Sequence, residues 1–318
     1  MDLVTLIDLD PQEYEHSSDQ RALDMLQRTK GLDTLVKKFY EYGIERIVQI
    51  QCTGSNLKVT SSSFPALFEM LEESCRILHL MHLPQLYLQQ SEDLLGMTTG
   101  VDRPVIILST SCVDNLSDAE TRFIIGRQIG HIKSRHVLYY EIGMLMPVLT
   151  EVLAAPTLGL SALITVPLQI SLLHWMRMSE YTADRAGLLA CQDASAAAAA
   201  LAKVAGLPTT CYDSFNVDDF ITQAREFVGF DAERLSKMLK FASLLFGDQR
   251  WAVARAHELL TWIDAGHYRQ VIDRVTPARQ ATFTMLAAFC ASCGFQLPQP
   301  GKFCPQCGQS VSLPGPAA

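Results

Sequence analysis

Apolar residues in the first part of the chain recur at helical spacing. Leu23, Met25, Leu26, Leu32, Leu35, Val36 and Phe39 fall roughly three to four positions apart with charges between them, which predicts a helix over 17–42. Leu67, Phe68, Met70, Leu71 and Ile77 predict a second over 64–80. Two short runs follow, Leu86-Tyr87-Leu88 and Pro104 to Leu108. They are rich in Val, Ile, Leu and Tyr, are bounded by polar or turn residues, and read as strands. Ser117-Asp118-Ala119-Glu120 is then a capping box, in which the Ser oxygen bonds the N3 amide and Glu120 reaches back to the cap amide. A long helix from Asp118 to about Gly143 is expected, burying Phe123, Ile124, Ile129 and Ile132.

From Ile142 to Leu173 the polar pattern disappears, and Glu151 is the only charged residue. Val152 to Leu173 has enough uncharged residues for one span of about twenty. Pro147, Pro156 and Pro167 argue against one straight helix. A helical hairpin over 142–173 is expected instead, packed in a core, in a self-association interface or against a membrane surface. Helical character resumes at Trp175, runs through Ala194 to Ala205 and continues to about Val275. Pro298, Pro300, Pro314 and Pro316 mark the tail as turn-rich.

Composition narrows the classes. The chain has 318 residues and a net charge of −8, which offers no general electrostatic attraction for nucleic acid. Met1 to Glu15 holds five acidic residues and no cation, so a secretory signal is not expected. Of the nine cysteines, Cys52, Cys75, Cys112, Cys191 and Cys211 are scattered, while four cluster at the C-terminus. That distribution suits a reducing compartment, and the expected location is cytoplasmic, or peripheral at a membrane.

The clustered four form Cys290-Ala-Ser-Cys293-Gly and Cys304-Pro-Gln-Cys307-Gly, two matching half-sites ten residues apart. Each C-x-x-C turn brings two sulfurs to one face, and zinc takes four thiolates in a tetrahedron. The glycine after each pair permits a tight backbone turn. The module resembles a zinc ribbon, with structural zinc on Cys290, Cys293, Cys304 and Cys307, and so small a core folds only with its metal. Lys302 is the single basic residue inside it, so a protein is the expected partner and nucleic acid is not.

The capped helix carries Arg127-Gln128-Ile129-Gly130-His131-Ile132, with His136 five residues beyond His131. Downstream stands Ser179-Glu180-Tyr181-Thr182-Ala183-Asp184-Arg185-Ala186-Gly187. With the strand Pro104 to Leu108 and the Gly-His-Ile core, these segments resemble the HtpX-like, CAAX-prenyl-endopeptidase-related zinc metallopeptidases, which are gluzincins. The resemblance covers about Ala22 to Asp273. In that family H-E-x-x-H puts two His ligands one helical turn apart, and its Glu activates the zinc-bound water. The Glu of E-x-x-x-D is the third ligand and the Asp supports the histidines. By position those last roles fall to Glu180 and Asp184.

This chain reads R-Q-x-x-H instead. Arg127 stands at the first ligand position and Gln128 at the base. Gln249, in Asp248-Gln249-Arg250, stands where the family's T-H-P motif has its His. A guanidinium repels a metal but can pair with the Glu180 carboxylate, and glutamine cannot accept a proton at neutral pH. An Arg127–Glu180 ion pair in place of catalytic zinc is therefore expected.

Two functions remain open. One is an inactive peptidase homologue that serves as a protein-binding scaffold and displays the ribbon. The other is an active zinc endopeptidase with a rearranged ligand set, His131, His136 and Glu180, strained because five residues on a helix rotate by about 500°. The expected architecture is mainly α (α+β): a gluzincin-like domain over 1–280 with a small edge sheet, a zinc ribbon over 286–312 and a tail over 313–318. Self-association and a membrane contact through 142–173 stay open.

Overall fold

The computed structural model describes residues 3–41, 43–94, 96–153, 166–227, 251–274, 288–290, 293–297, 304, 306–307 and 309. Among the described residues it is mainly helical, with one four-stranded sheet and one two-stranded pair near the C-terminus, in keeping with the mainly helical sequence pattern. The first helical stretch is divided. Helix α1 (Ser17–Gln27) and α2 (Leu32–Glu41) are separated by a turn holding Gly31 at φ +95°. A third helix that periodicity had not marked, α3 (Ile44–Ser55), follows. Helix α4 (Pro65–Ile77) stops three residues short of the expected end.

The sheet has the order β1-β2-β4-β3, with β1 (Leu57–Lys58), β2 (Gln85–Gln89), β3 (Gly96–Thr99) and β4 (Val105–Ser109). Strands β2 and β4 are the two expected from sequence. They run parallel, with Leu86 opposite Ile106 and Leu88 opposite Leu108. Both faces of β4 are covered, so it reads as an unbroken apolar run and not as an alternation. The short β3 pairs antiparallel to β4 and carries Gly and Thr, which gave little strand signal.

Ser109 caps the short α5 (Thr110–Asn115), and Ser117 with Glu120 forms the expected capping box at the start of α6. Helix α6 (Asp118–Lys133) ends ten residues before the predicted boundary. Ser134 closes it, Arg135 turns into the left-handed region at φ +58°, and α7 (Val137–Leu153) begins afresh. The long α8 (Val166–Cys191) then returns against α6. Their approach is close because the crossing is made of small residues. A methyl group on Gly130 would stand 2.5 Å from the Ala186 methyl, and one on Gly126 would strike Ala190.

Helices α9 (Ala194–Val204), α10 (Val217–Glu226), α11 (Ala252–Asp264) and α12 (His267–Asp273) complete the body. The principal core joins the sheet, α4, α6, α8 and these later helices through Leu71, Ile106, Phe123, Ile125, Leu189 and Leu260. A second core answers part of the question raised by the apolar stretch. Ile142, Met146, Leu168, Leu172 and Trp175 pack on Ala22, Leu26, Leu32, Leu35 and Phe39. The two ends of the 142–173 stretch are thus packed on the protein's own helices, while residues 154–165, where the expected hairpin would turn, lie outside the described residues. Among the described residues no helix is long and apolar enough to cross a membrane.

Candidate functional site

Glu180 and Asp184 lie one turn apart on α8, facing α6 where the small-residue crossing brings the two helices together. That closeness lets Arg127, also in the middle of α6, reach both carboxylates. Its Nε donates to Asp184 Oδ1 at 2.7 Å, and its Nη2 donates to Glu180 Oε2. The expected Arg127–Glu180 pair is therefore present, with Asp184 added to it. The guanidinium does not point to solvent: Arg127 is only 6% exposed.

Arg255 on α11 enters the same cluster and was not foreseen. It donates from Nε to Asp184 Oδ2 at 2.7 Å and from Nη2 to Asp184 Oδ1 at 2.5 Å, a bidentate clamp, and its Nη1 lies 3.5 Å from Glu180. The only sequence signal was a cation interspersed with Ala252, Ala254, Ala256 and Leu259, all of them buried. Two guanidiniums thus face two carboxylates, and the buried charges balance. Burial alone would raise the Glu180 carboxyl, but Arg127, then His131 and Arg255, outweigh it and hold it well below the usual range.

His131 Nε2 stands 3.6 Å from Glu180 Oε1, to which Tyr140 also donates at 3.0 Å. His136 corrects the expectation that it diverges from His131. Because α6 ends at Lys133, the chain doubles back through Arg135 and the two Nδ1 atoms meet at 3.1 Å. The 500° rotation applied to an uninterrupted helix. The other side of His136 is held by a buried residue not singled out from sequence: its Nε2 lies 3.1 Å from Asp19 Oδ2, which also accepts from Thr182 at 2.6 Å. Burial pushes the His131 imidazole below its ordinary value, against the opposing effect of Glu180.

Gln128 is 2% exposed and turned toward the sheet, where Thr98 donates to its Oε1 at 3.0 Å. It is part of the attachment of α6 to β3, and its amide cannot serve as a base at neutral pH. Gln249 lies outside the described residues.

A zinc ion does not fit this donor set. Of the three ligand positions the family resemblance implies, only His131 and Glu180 carry ligand atoms, and Glu180 is already bound by a cation. His136 is engaged on both ring nitrogens. Among the described residues, one group gathers ligand atoms as a metal needs, and it is the C-terminal one: the sulfurs of Cys290, Cys293, Cys304 and Cys307 all lie within 4.8 Å of one another. Zinc–sulfur bonds of about 2.3 Å in a tetrahedron require sulfurs about 3.8 Å apart. Cys290 and Cys307 are 3.7 Å apart, and Cys293 and Cys304 are 3.6 Å apart. The paired strands β5 (Ala288–Phe289) and β6 (Gln296–Leu297) flank the first half-site.

The comparisons agree with this geometry at the level of family. Residues 61–261 match the model of peptidase family M48. The chain is 27% identical over 269 residues to the plastoglobule-localized metallopeptidase 48, chloroplastic, of Arabidopsis thaliana, covering 84% of this chain and 77% of that protein. No solved structure matches it. With most of its length, its capped helix and its E-x-x-x-D helix accounted for in this way, the chain belongs to peptidase family M48.

Proposed function

We propose that this M48 protein is catalytically inactive and acts as a protein-binding scaffold whose cysteine ribbon holds zinc and contributes the interaction surface. The observation that carries the reading is the buried ion-pair cluster of Arg127 and Arg255 with Glu180 and Asp184. A cation of the protein's own occupies the carboxylate that the family resemblance makes a zinc ligand. Gln128, at the position of the family's general base, cannot itself take a proton from water at neutral pH. Arg127, at a ligand position of the family, instead ties α6 to α8 through Glu180 and Asp184.

The ribbon supports the second half of the reading. Its four sulfurs fit a closed zinc site with no open coordination position, and such sites shape structure. Gln306 and Cys307 are exposed at its second half-site. The net charge of −8 disfavours nucleic acid and leaves protein as the partner class. A peripheral placement is part of the proposal, with the two ends of the 142–173 stretch packed on α1 and α2.

The approach of His131 to His136 favours one competitor, an endopeptidase using those two with Glu180. The test is zinc content with activity on the full chain. About one zinc per chain, with no chelator-sensitive cleavage of an unfolded protein, is expected. About two zincs per chain together with chelator-sensitive cleavage would overturn the proposal.

A further inference from the structure

The ribbon is hydrogen-bonded directly to the body. Its first half-site lies along the segment that joins α4 to β2. Leu83 N donates to Gly294 O at 2.7 Å, and Gln296 N donates to Met81 O at 2.7 Å. These two bonds flank an antiparallel pairing of His82 with Phe295, whose rings lie 5.2 Å apart. Residues 294–296 therefore add to Met81–Leu83 as a short strand, the mode by which extended peptides join a free edge. Phe289, like Leu80 and Leu83, packs against the principal core.

The docked strand owes its shape to the half-site. Cys290 N donates to Phe295 O and Gly294 N donates to Cys290 O, both at 2.8 Å, which ties Cys290 directly to the docked strand. Gly294 sits at φ +72°, and a methyl group there would come within 2.6 Å of Leu83 O. The half-site thus presents Gly294 O and Gln296 N outward, toward Leu83 and Met81. Among the described residues the ribbon's own core is Cys290, Leu297 and Cys304, with Cys293 and Phe295 against it, and a module of so few residues holds such a shape through its metal.

We propose that metal on the four cysteines works as a latch: loaded, the ribbon holds Gly294–Gln296 on Met81–Leu83; emptied, it releases them and exposes a strand edge on the body. The latch adjoins the helix that carries the arginine cluster, because His79 O accepts from Lys133 Nζ at 3.0 Å, two residues beyond His131. It rests on the cysteines binding metal and not on the body being inactive, so metal content and exchange are read separately from activity.

Hydrogen exchange by mass spectrometry on the full chain tests it, before and after zinc removal with a strong chelator, with zinc per chain measured on each sample. Peptides holding the Leu83 and Gln296 amides should exchange at least tenfold faster once zinc is gone, while the α6 and α8 peptides keep their protection, and added zinc should reverse the change. Unchanged exchange at Leu83 and Gln296 in metal-free chain overturns the latch. So does equal loss of protection across α6 and α8, which would make the metal a requirement for the whole body. A second variant separates docking from metal. Leu83→Pro lacks the donor to Gly294, so Gln296 should lose protection with zinc content unchanged; full protection of Gln296 in that variant also refutes the pairing.

Discussion

Replacing Arg127 with methionine is the perturbation that bears most directly on the reading of the site. Arg127→Met keeps an aliphatic stem in the α6–α8 crossing and removes the charge. Asp184 then retains both bonds from Arg255, while Glu180 keeps Tyr140 and His131 and has Arg255 at 3.5 Å. Removing one partner of a buried ion pair costs about 3–5 kcal/mol, because the remaining charge stays desolvated. With Arg255 still present the loss should fall near the lower bound, about 3 kcal/mol, or about 5 °C in melting temperature for a domain of this size. Urea denaturation followed by circular dichroism measures it, and acid provides an internal check. The Glu180 carboxyl is held below its unfolded value of about 4.3. Its contribution is complete above that pH and is lost as the pH falls through the folded value, so the gap between wild type and variant should begin to narrow below about pH 4.3 and close only below the folded value. A loss under about 0.5 kcal/mol, the range of exposed substitutions, would refute the argument that Arg127 holds the site together.

Three further outcomes follow from the same geometry. Arg127→His combined with Gln128→Glu should raise zinc content from about one to about two per chain, since a third ligand would then join His131 and Glu180; an unchanged content by elemental analysis contradicts the placement of these side chains. Gly126→Ala should cost about 1–3 kcal/mol in chemical denaturation, because its methyl meets Ala190 across the crossing, and a neutral result would mean that α6 and α8 are farther apart. Burial holds His131 below its unfolded value of about 6.5, so the unfolded chain takes up that proton first and stability should decline as the pH falls below about 6.5. An imidazole NMR titration that puts His131 at or above that value in the folded chain contradicts the burial argument.

Local signals in the sequence were readable where one residue type has one physical use. Ser117 with Glu120 marked the start of α6, and the structure has both reciprocal bonds. Leu86 to Leu88 and Pro104 to Leu108 marked β2 and β4. The end of α6 was not readable, because Ile132 to Tyr140 continues with helix-compatible residues and the stop depends on Arg135 taking φ +58°. Strand β3 escaped for a related reason: its Gly and Thr have weak strand preference, and pairing with β4 determines its state.

The site divides along the same line. Sequence alone determined that the zincin pattern is broken at Arg127 and Gln128, that Glu180 is a candidate partner for Arg127, and that four cysteines with zinc-ribbon spacing lie at the C-terminus. Those are statements about chemical type and spacing, which a chain carries whatever its fold. Tertiary structure alone decided that Arg255 joins the cluster from 71 residues beyond Asp184, that Asp19 clamps His136, and that the ribbon pairs with Met81–Leu83. Each of these links segments that share no periodicity, and the close α6–α8 crossing is what brings the charged groups at the arginine cluster within bonding distance. A buried charge declares its partner only when the fold has removed the water that would otherwise serve in its place.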